Sequence, residues 1–578
     1  MRSVLCLALL VPVLAMAAGN MMTVAAPTPG TARSAVPVRA LVGTMDTVGG
    51  TVYDAAVNGP TYRFVVNSPD YGIHVVWMWS NDTLGGQADC NMRYNFYNYP
   101  TRTWNWIDPA YMLSGFNTFG ERASFGSLGV NLSTGAAVIS CQAGSAPIRP
   151  VVARDMVAGA GVFEFCDGSP TLDNHLWPPI DVDTAGGIHM ACFDSPGRRN
   201  LWYSKCDPWC TWSPPVQSAP VAPTFPTQQV ACSKRSDKVC LTWVEVVDDV
   251  YPHPGYYRLS NDRGSTWDPP VNLGYPPAYS NSPDTGASYY VTSLNPFYDL
   301  QDRLHIVVDV MPIIHYGGGA DTAFRWPNEI WHWCADNTPQ WSKVARADGD
   351  VHATYDPGTN ALLACRPQLG TDSRGNLFAT WEQFDTTNFD PLTTLLRADI
   401  WLSGSNSNGV SWTPAIRIAE AGTSSLRFPS ITDMAISGAG GHDTLGILYQ
   451  ADQVAGFRAG SSPIGPWSSN PMIFQKVPTD SVGIIELRQG APDGFDLAAS
   501  PNPLGGRTII SYALPRAGDV SLVVYDAVGR PVQTLVSGRR EAGRFNATWD
   551  AGSVPAGVYF YTLTCGRTSV TRKLILAH

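Results

Sequence analysis

Seven short apolar runs recur along the chain, and they constrain its fold more than any other feature. Each run follows a turn, is rich in β-branched and aromatic residues, and has the length of a buried strand. Successive runs begin 51 to 73 residues apart. The runs are GIHVVWMWS from Gly72, GAAVISCQA from Gly135, GIHMACFDS from Gly187, KVCLTWVEV from Lys238, RLHIVVDVM from Arg303, NLFATWEQF from Asn376 and TLGILYQAD from Thr444. A strand repeat of this period is typical of an array of similar sheets, such as the blades of a propeller.

A turn that ends in tryptophan forms a second repeat. SNDRGSTW ends at Trp267 and SNSNGVSW ends at Trp412, and the two share Ser, Asn, Gly and Trp in register. Looser copies end at Trp104, Trp212, Trp341 and Trp467. The interval of 108 residues between the first two looser copies lacks the tryptophan and contains the run from Gly135. Six turns with one gap give the same count as the seven runs.

Both repeats predict an all-β fold for residues 41–477, namely a β-propeller of about seven four-stranded blades. Six blades would result if the poorly marked segment 122–166 were an insertion. The composition agrees with strands, because 54 Gly and 46 Pro interrupt almost every apolar run and disfavour long helices. The 19 tryptophans supply aromatic anchors between sheets.

The two best turns resemble the Asp box, or BNR repeat, S-x-D-x-G-x-[ST]-W, of the sialidase-like propeller superfamily. The first turn matches with Ser260, Asp262, Gly264, Thr266 and Trp267. The second turn has Ser407 in place of the aspartate and matches with Ser405, Gly409, Ser411 and Trp412. The resemblance implies propeller architecture and a structural role for these residues, because the family's Asp boxes lie at blade edges, away from the active site.

Sialidase chemistry requires more than Asp boxes. The resemblance implies three arginines that hold a carboxylate, a Tyr–Glu nucleophile, an Asp acid/base and an early F/Y-R-I-P motif, which this sequence lacks. Arg366-Pro367 and Arg427-Phe-Pro429 have a different order and are interpreted as blade starts. The other arginines and carboxylates considered occur singly, without a motif that assigns a catalytic role: Arg63, Arg93, Arg258, Glu245, Glu382 and Asp385.

Three histidines, His74, His189 and His305, each follow Ile or Leu at the same point of a run. They are interpreted as half-buried polar rings, with a three-histidine metal site as the alternative. The segments 181–186 and 372–375 combine acidic residues with glycine, which fits strand-connecting turns or small calcium loops. We therefore expect no cofactor, with calcium as the alternative.

The first repeat unit is dense in aromatic residues. Such residues can build a propeller core or stack on sugar rings, and the core interpretation is favoured. They are Tyr62, Trp77, Trp79, Tyr94, Phe96, Tyr97, Tyr99, Trp104 and Trp106.

The N-terminal sequence MRSVLCLALLVPVLAMAAGN carries one arginine, an apolar stretch and a small-residue pattern before Ala18. It indicates a secretory signal peptide over residues 1–18, followed by a flexible segment over 19–40. No later segment approaches the roughly 20 apolar residues of a membrane span, so no transmembrane segment is expected. The net charge of −10 disfavours nucleic acid as a partner, because phosphate binding needs clustered Lys and Arg.

Cysteine spacing suggests crosslinks in an oxidising compartment, where 11 cysteines remain once Cys6 is removed with the signal peptide. Cys192 and Cys206 flank one turn, and Cys232 and Cys240 flank another. Residues equidistant from a turn face each other across a hairpin, which makes these pairs candidate disulfides. Zinc binding by Cys206 and Cys210 is the alternative, although a lone C-x-x-x-C is a weak metal signal.

After a linker at 478–494, residues 495–578 alternate apolar and polar residues, as in a small immunoglobulin-like β-sandwich. This segment resembles the C-terminal sorting domain (type A) of type IX secretion cargo and the related immunoglobulin-like domain of flagellar hook-capping proteins. The matching landmarks are Asn502, Pro503, Tyr525, Asp526, Gly529, Arg530, Trp549, Asp550, Gly557, Tyr559 and Lys573. The resemblance implies passage across the outer membrane, with the secretion machinery as a partner. A plain immunoglobulin-like module is the alternative.

Together these features predict a secreted or cell-surface propeller protein that is exported by its signal peptide and its C-terminal domain. The favoured function is a non-catalytic binding or adhesion module, with a glycan or another surface ligand as partner. An exo-sialidase-type glycoside hydrolase is the alternative, and a structural surface-layer component is a third hypothesis. Three arginines converging on the propeller axis beside a Tyr–Glu pair would favour the hydrolase.

Overall fold

The computed structural model describes residues 38–577 except 57–60, 84–88, 145–146, 195–199, 221–226, 246–253, 275, 278–287, 317–319, 324–327, 348–355, 359–360, 439–441, 458–463, 484–495, 501, 503, 505, 515, 541–542, 553 and 567. The predicted signal peptide and most of the segment 19–40 lie outside these residues. Two compact units are present: the larger covers the described residues up to Ser411 and Ala415–Thr479, and the smaller covers Trp412–Pro414 and the described residues from Asp480 onward. Strands dominate both units, and the described helical segments are the 3₁₀ turns Tyr111–Leu113 and Thr479–Val482.

Seven antiparallel sheets follow one another along the larger unit, and we number them in chain order. Sheet 1 contains Val65–Ser68, Gly72–Trp79, Asn91–Asn98, Thr103–Trp104 and Phe116–Asn117. Sheet 2 contains Ala123–Ser124, Leu128–Asn131, Ala136–Ala143, Arg149–Asp155 and Phe163–Asp167. Sheet 3 contains His175–Leu176, Ile180–Val182, Ile188–Asp194, Asn200–Cys206 and Val216–Pro220. Sheet 4 contains Gln229–Cys232, Val239–Val244, Gly255–Ser260 and Val271–Asn272.

The last three sheets of the larger unit are built in the same way. Sheet 5 contains Ser288–Tyr298, Leu304–Tyr316, Ala320–Ala323, Asn328–Cys334 and Trp341–Ala347. Sheet 6 contains Ala364–Thr371, Leu377–Phe389, Leu396–Ser405 and Ile416–Glu420, with Arg39–Ala40 at its edge. Sheet 7 contains Ser425–Ile431, Thr444–Asp452, Asn470–Pro478 and Thr44–Thr51.

Sheet 7 closes the β-propeller, because it combines strands from both ends of the larger unit. The N-terminal strand Thr44–Thr51 pairs with Asn470–Pro478, and Thr44 lies opposite Lys476. Joining the first strand to the last sheet removes the free sheet edges that a linear array would leave at its two ends.

Each apolar run of the sequence becomes a strand, as predicted, and it lies in the middle of its sheet and not at the innermost position. The strands Gly72–Trp79 and Ala136–Ala143 are buried along their whole length. Sheet 2, whose unit lacks the turn tryptophan, is a complete sheet and not an extension of its neighbours.

Tryptophans at one repeat position anchor three of the sheets. Trp77, Trp243 and Trp381 lie on the central strands of sheets 1, 4 and 6 and are fully buried. Burying an aromatic side chain removes about 150–250 Å² from water, which stabilises the fold by roughly 4–6 kcal/mol at 25 cal/mol per Å². The aromatic content of the sequence is therefore explained mainly by the core.

The smaller unit contains two antiparallel sheets that share one apolar cluster. One sheet contains Asp496–Ser500, Arg507–Leu514 and Gly543–Asp550, and the other contains Pro531–Arg540, Gly518–Tyr525, Gly557–Cys565 and Thr568–Leu576. Tyr512 and Trp549 from the first sheet meet Leu522 and Leu563 from the second in this cluster. Two sheets packed across one core form a β-sandwich.

The register of the hairpins overturns the cysteine pairing suggested by the turns. Cys192 lies opposite Trp202 and Cys206 lies opposite Ile188, so the two thiols are four positions apart along the pair. Both are buried and unpaired.

The predicted disulfide of the second hairpin, between Cys232 and Cys240, is wrong for a related reason. Cys232 lies opposite Val239, one position away from Cys240, so the two side chains point to opposite faces of sheet 4. Both thiols are unpaired. The disulfide instead joins Cys166 of sheet 2 to Cys210 beside sheet 3, with a Cα–Cα distance of 5.0 Å. Cys210 is therefore not available for the zinc alternative.

Candidate functional site

A cavity of about 320 Å³ lies where the first strands of all seven sheets meet, and we call it the central channel. Sheets 1 to 7 contribute, in order, Arg63, Gly129, Asp181, Lys234, Phe297, Thr371 and Asp433 to its wall. Each of these residues lies within or near the first long strand of its sheet. The channel therefore gathers side chains that are widely separated in sequence.

Most charged groups of the channel are held by protein partners. Lys234 Nζ donates to Asp181 Oδ1 at 2.6 Å and to the Val182 carbonyl at 2.7 Å. The other oxygen of Asp181 accepts the Cys232 N–H at 2.7 Å. Arg63 donates to the carbonyl oxygen of Ile431 at 2.8 Å, which ties sheet 1 to sheet 7.

Asp433 differs from its neighbours in the channel. Its Oδ1 atom has no hydrogen-bond partner among the described residues. Burial raises the pKa of its carboxyl group, while the positive charges of Arg63 and Lys234 oppose that rise. Asp433 thus borders the cavity beside two cations, with one buried carboxylate oxygen unpartnered among the described residues.

A second group of charges is buried between sheets 6 and 7, and we call it the Glu382 cluster. Arg366 donates to Glu382, and Arg427 Nε lies 3.3 Å from the same carboxylate. The Phe428 N–H donates to its other oxygen at 2.6 Å. These arginines, together with the backbone N–H, hold the pKa of Glu382 below its usual value, although burial acts in the opposite direction.

The strand starts explain how two arginines reach one carboxylate. Arg366 and Arg427 lie on the first strands of sheets 6 and 7, as the sequence predicted for these blade starts. Both strands are irregular at these residues, and Arg366 and Phe428 have positive φ angles of 57°.

Beside this cluster, Asp452 ends the central strand of sheet 7 and is buried. Burial and the neighbouring Asp54 carboxylate raise the pKa of Asp452, and Arg427 partly opposes the shift. No sequence pattern marks Asp54 or Asp452 as a functional residue. The sequence likewise does not single out Asp433 or Lys234. Like Asp452, each stands in an ordinary turn or at a strand end, and only an alignment of the seven units could have grouped these residues.

The three repeat histidines stay within their own sheets. Nδ1 of His74 and of His189 lies 2.8 Å from the hydroxyls of Tyr94 and Tyr203, respectively. Nδ1 of His305 lies 2.9 Å from His332 Nε2. Within the described residues, no three His, Cys, Asp or Glu side chains come together as a metal site would require. The rings act as polar links between strands.

The two acidic segments form strand-connecting turns. Asp183 Oδ1 accepts the N–H groups of Ala185 and Gly187, both at 2.8 Å. Asp372 Oδ1 accepts those of Arg374 and Asn376 at 3.0 and 2.9 Å. Asp residues that hold the N–H groups two and four positions ahead stabilise tight turns. Calcium at these segments stays an untested alternative.

The turn that ends at Trp267 connects the third and fourth strands of sheet 4. Ser260 Oγ accepts the Gly264 N–H at 2.8 Å, and Asp262 accepts the Thr266 N–H and hydroxyl at 2.8 and 2.6 Å. The bonds from Thr266 help to lower the pKa of Asp262 to about 2. Trp267 packs edge-on against Tyr203 of sheet 3, with ring centroids 4.8 Å apart.

The second turn reproduces this geometry in sheet 6 without the carboxylate. Ser405 Oγ accepts the Gly409 N–H at 2.9 Å, and Ser407 Oγ accepts the Ser411 N–H at 2.9 Å. Trp412 follows at the end of this turn.

The glycines of both turns pack on the preceding sheet. A Cβ atom at Gly264 would lie 1.8 Å from the Tyr203 hydroxyl, and one at Gly409 would lie 2.1 Å from the His332 ring. In the unit that lacks the turn tryptophan, Gly159 likewise packs against Phe96 of the preceding sheet, where a Cβ atom would meet the Phe96 ring. None of the residues of the turns that end at Trp267 and Trp412 belongs to the described lining of the channel.

Other residues singled out by sequence have structural partners. Arg93 stacks on Trp79 at 4.2 Å, and Arg258 donates to the Asp268 carbonyl at 2.6 Å. Asp385 accepts the Thr387 N–H at 2.8 Å. Burial raises the pKa of Glu245 at the end of sheet 4. The aromatic residues Tyr62, Trp77, Tyr94 and Phe96 are buried in the core, while Tyr97, Tyr99, Trp104 and Trp106 pack against it.

The landmarks of the C-terminal segment build that unit. Asn502 bridges the backbone of the last strand, donating to the Lys573 carbonyl and accepting the Ile575 N–H, both at 2.9 Å. Asp526 organises a turn by accepting the Arg530 N–H at 2.9 Å. Trp549 packs against Tyr559 at 5.3 Å.

The remaining landmarks occupy turns and strand starts. Gly529 adopts a φ of 81°, and the Asp550 carboxylate pairs with Arg507 at 2.8 Å. Tyr525 is the last residue of the strand Gly518–Tyr525, and Gly557 is the first residue of the strand Gly557–Cys565. Pro503 lies outside the described residues.

Comparison with known proteins identifies one segment. Residues 499–577 match the family described as Secretion system C-terminal sorting domain. The segment is a type IX secretion sorting domain, which directs the chain to the secreted fraction or the cell surface. Across the described residues, no helix has the length and apolar character of a membrane span. No curated protein matches the chain.

Several solved structures have a similar fold. An ulvan lyase of polysaccharide lyase family PL25 is 12% identical, with a TM-score of 0.41 over 71% of this chain and 94% of that one. An α-L-arabinanase from Penicillium chrysogenum is 11% identical, with a TM-score of 0.34 over 64% and 94%. An α-L-arabinofuranosidase from Fusarium graminearum is 11% identical, with a TM-score of 0.36 over 65% and 96%. The likeness concerns the fold and transfers no substrate.

Proposed function

We propose that this exported protein is a non-catalytic binding module whose ligand, a polar molecule such as a saccharide, occupies the central channel. We further infer that sheets 1 to 7 are the blades of a seven-bladed, sialidase-like propeller and that residues 495–578 form an immunoglobulin-like sandwich. The observation that carries the binding proposal is the Asp433 carboxylate, which lies in the channel with one oxygen lacking a partner among the described residues.

The chemistry of the channel suits a polyhydroxylated ligand. A sugar hydroxyl both donates and accepts, so it needs an acceptor and a donor close together. Asp433 supplies the acceptor, and the cations of Arg63, Lys234 and Arg235 supply donors around the same cavity. A volume of about 320 Å³ lies at the lower end of the range for small-molecule sites.

Two of the four aspartates that line the channel are held by protein side chains. A retaining glycosidase needs two carboxyl groups about 5 Å apart. Asp181 is held by Lys234, and Asp299 is held by Arg303 at 2.7 Å and by His305 at 3.1 Å. Among the four aspartates of the described lining, this leaves Asp433 and the exposed Asp70 as the pair that a catalytic mechanism would need.

The sialidase alternative has weaker support. It calls for three arginines around a substrate carboxylate. The two arginines that converge, Arg366 and Arg427, are engaged by the protein's own Glu382. Their buried positions favour a structural role.

A glycan array, followed by calorimetry on any hit, tests the binding proposal with the full chain. We expect Asp433→Asn to weaken binding by about tenfold or more, because hydrogen bonds to a charged group contribute about 1.5–3 kcal/mol. Asp268→Asn is the matched control, since Asp268 is an exposed carboxylate that does not line the channel.

Hydrolysis is measured in parallel with fluorogenic glycosides, including a sialoside. Binding without turnover supports the proposal. Turnover that disappears in Asp433→Asn would replace the binding module with an enzyme, and binding that survives Asp433→Asn unchanged would place the ligand elsewhere.

A further inference from the structure

The four-stranded sheet of the smaller unit has one face that its core does not use. Leu522 and Leu563 of this sheet lie in the shared apolar cluster, and successive side chains of a strand alternate between its two faces. Residues opposite each other on paired strands share a face, so the strand register defines the other surface row by row. We call that surface the outer face.

One half of the outer face is polar, as expected for a sheet surface in water. Ser521 lies opposite Thr564, which lies opposite Ser569. In the next row Thr562 lies opposite Thr571, and their hydroxyl oxygens are 2.8 Å apart. Short hydroxyl side chains therefore cover this half.

The other half of the outer face is mainly apolar. Tyr525 lies opposite Phe560, which lies opposite Lys573, and Val558 lies opposite Ile575 in the adjoining row. Phe560 is 36% exposed and Val558 is 41% exposed. None of these five residues belongs to the core cluster of the unit. We call Tyr525, Val558, Phe560, Lys573 and Ile575 the Phe560 patch.

The turn beside the Phe560 patch adds two exposed valines. Val528 lies in the turn that follows Tyr525, and Val532 lies at the start of the next strand. They are 75% and 38% exposed. Among the described residues of the smaller unit, the exposed large apolar side chains are these two valines, Val558 and Phe560, and all four lie at one end of one sheet. Exposed apolar side chains that cluster in this way mark an interaction surface.

The charge of the segment indicates the kind of partner. Residues 499–577 contain nine Lys or Arg and four Asp or Glu, a net charge of +5, whereas the whole chain carries −10. Lys573 is exposed, and its ammonium group pairs with no carboxylate among the described residues. A partner with an apolar surface bordered by carboxylates complements the patch. A second copy of the segment carries the same positive charge, which disfavours self-association.

We propose that the Phe560 patch is the surface by which the secretion machinery recognises this sorting domain, and that it fits a protein component with an apolar pocket and an acidic rim. The family match assigns sorting to residues 499–577 and does not distinguish one face of the unit from another. An aromatic side chain among smaller apolar ones, with charge at the edge, is typical of the centre of a protein–protein interface.

Export of the full chain by a bacterium with a type IX secretion system tests this surface. We expect Phe560→Ser and Lys573→Glu each to lower the exported fraction about tenfold and to leave the protein in the periplasm, because a few central side chains contribute most of the binding at an interface. Thr564→Ala, on the polar half of the same face, is the matched control and should be exported like the wild type. Lys573→Arg keeps the charge and should also be exported.

Two further measurements separate lost recognition from other causes. The melting temperatures of purified Phe560→Ser and Lys573→Glu should match that of the wild type, because both altered side chains are exposed. Asp433→Asn, in the central channel, should be exported normally, which separates sorting from ligand binding.

Photo-crosslinking in the exporting cell gives a readout that does not depend on weakened binding. A photoreactive amino acid at residue 560 should form an adduct with an outer-membrane protein of the secretion machinery, identified by mass spectrometry. The same amino acid at residue 564 should give much less of this adduct.

Normal export of both Phe560→Ser and Lys573→Glu overturns the assignment, and so does an equal loss of export in Thr564→Ala. An adduct at residue 560 with a second copy of the chain or with lipid also overturns it, as does export without any adduct at that residue. If a variant does not fold, the crosslinking result decides the question.

Discussion

Glu382 lies on the strand Leu377–Phe389 of sheet 6, and Asp433 follows the strand Ser425–Ile431 of sheet 7. The two carboxylates have opposite surroundings. Glu382 receives two arginines and a backbone N–H, and none of its side chain is exposed. Asp433 keeps one oxygen without a partner and borders the channel. The same chemical group is thus fully hydrogen-bonded in one region and only partly hydrogen-bonded in the other.

This difference separates structural charge from charge that can serve a ligand. A buried carboxylate with several donors stabilises the fold only as long as all its partners remain. A carboxylate that lacks a protein partner costs stability and is retained when something else binds it. The saturated region lies in the wall between two sheets, and the open one lies on the axis.

The largest predicted effect concerns the saturated region. Glu382→Gln should lower the free energy of unfolding by about 3–5 kcal/mol, because two buried guanidinium groups lose the carboxylate that they share. Denaturant titration followed by tryptophan fluorescence measures the change. Asp268→Asn should stay within about 0.5 kcal/mol as an exposed control. A loss below about 1 kcal/mol for Glu382→Gln would contradict the distinction between the two regions.

A smaller effect is expected at a saturated turn. Asp372→Ala should cost about 1–3 kcal/mol, because the N–H groups of Arg374 and Asn376 lose their acceptor. Asp372→Asn keeps an acceptor oxygen and should lose less. Equal losses in the two variants, measured by the same titration, would show that the acceptor role is not what stabilises the turn.

A third predicted effect concerns His74, a buried side chain that is neutral in the folded protein. His74 has a buried Nε2 without a partner among the described residues, and burial lowers its pKa to about 3 from a usual 6.5. Between these values the unfolded chain binds one more proton at this residue than the folded chain. Stability should therefore fall as pH falls from about 6.5, by about 1.4 kcal/mol per pH unit from His74 alone.

His74→Phe removes that contribution from the pH dependence. Unfolding free energies measured between about pH 7 and pH 4.5 should show a slope for the variant that is shallower by one proton. The buried His189 and His305 remain and contribute their own dependence, since burial lowers their pKa values as well. Identical slopes for the wild type and the variant would exclude a lowered pKa at His74.

The smallest effect on stability is expected in the open region. Asp433→Asn should change the free energy of unfolding by no more than about 0.5 kcal/mol, because Asn keeps an acceptor for the Met434 N–H and the other carboxylate oxygen has no described partner. The same variant should lose ligand binding. A stability loss as large as that of Glu382→Gln would place Asp433 among the structural carboxylates.

Local patterns predicted the parts of the fold that depend on neighbouring residues. The seven runs became central strands, and Ser260 and Gly264 form the turn that their spacing suggested. The cysteine pairs failed because a hairpin register is set by packing of the whole sheet. A displacement of one residue turns Cys240 to the face opposite Cys232.

Residues close together in the chain encode the strand repeat, the turns that end at Trp267 and Trp412, and the C-terminal sorting segment, so these features could be predicted before the structure was known. Only the tertiary structure brought Arg63 to Asp433 and placed Gln450 beside Tyr53. These contacts join the two ends of the larger unit, and they form because the N-terminal strand completes sheet 7. Closure of the ring brings these residues into contact, which no local sequence pattern predicts.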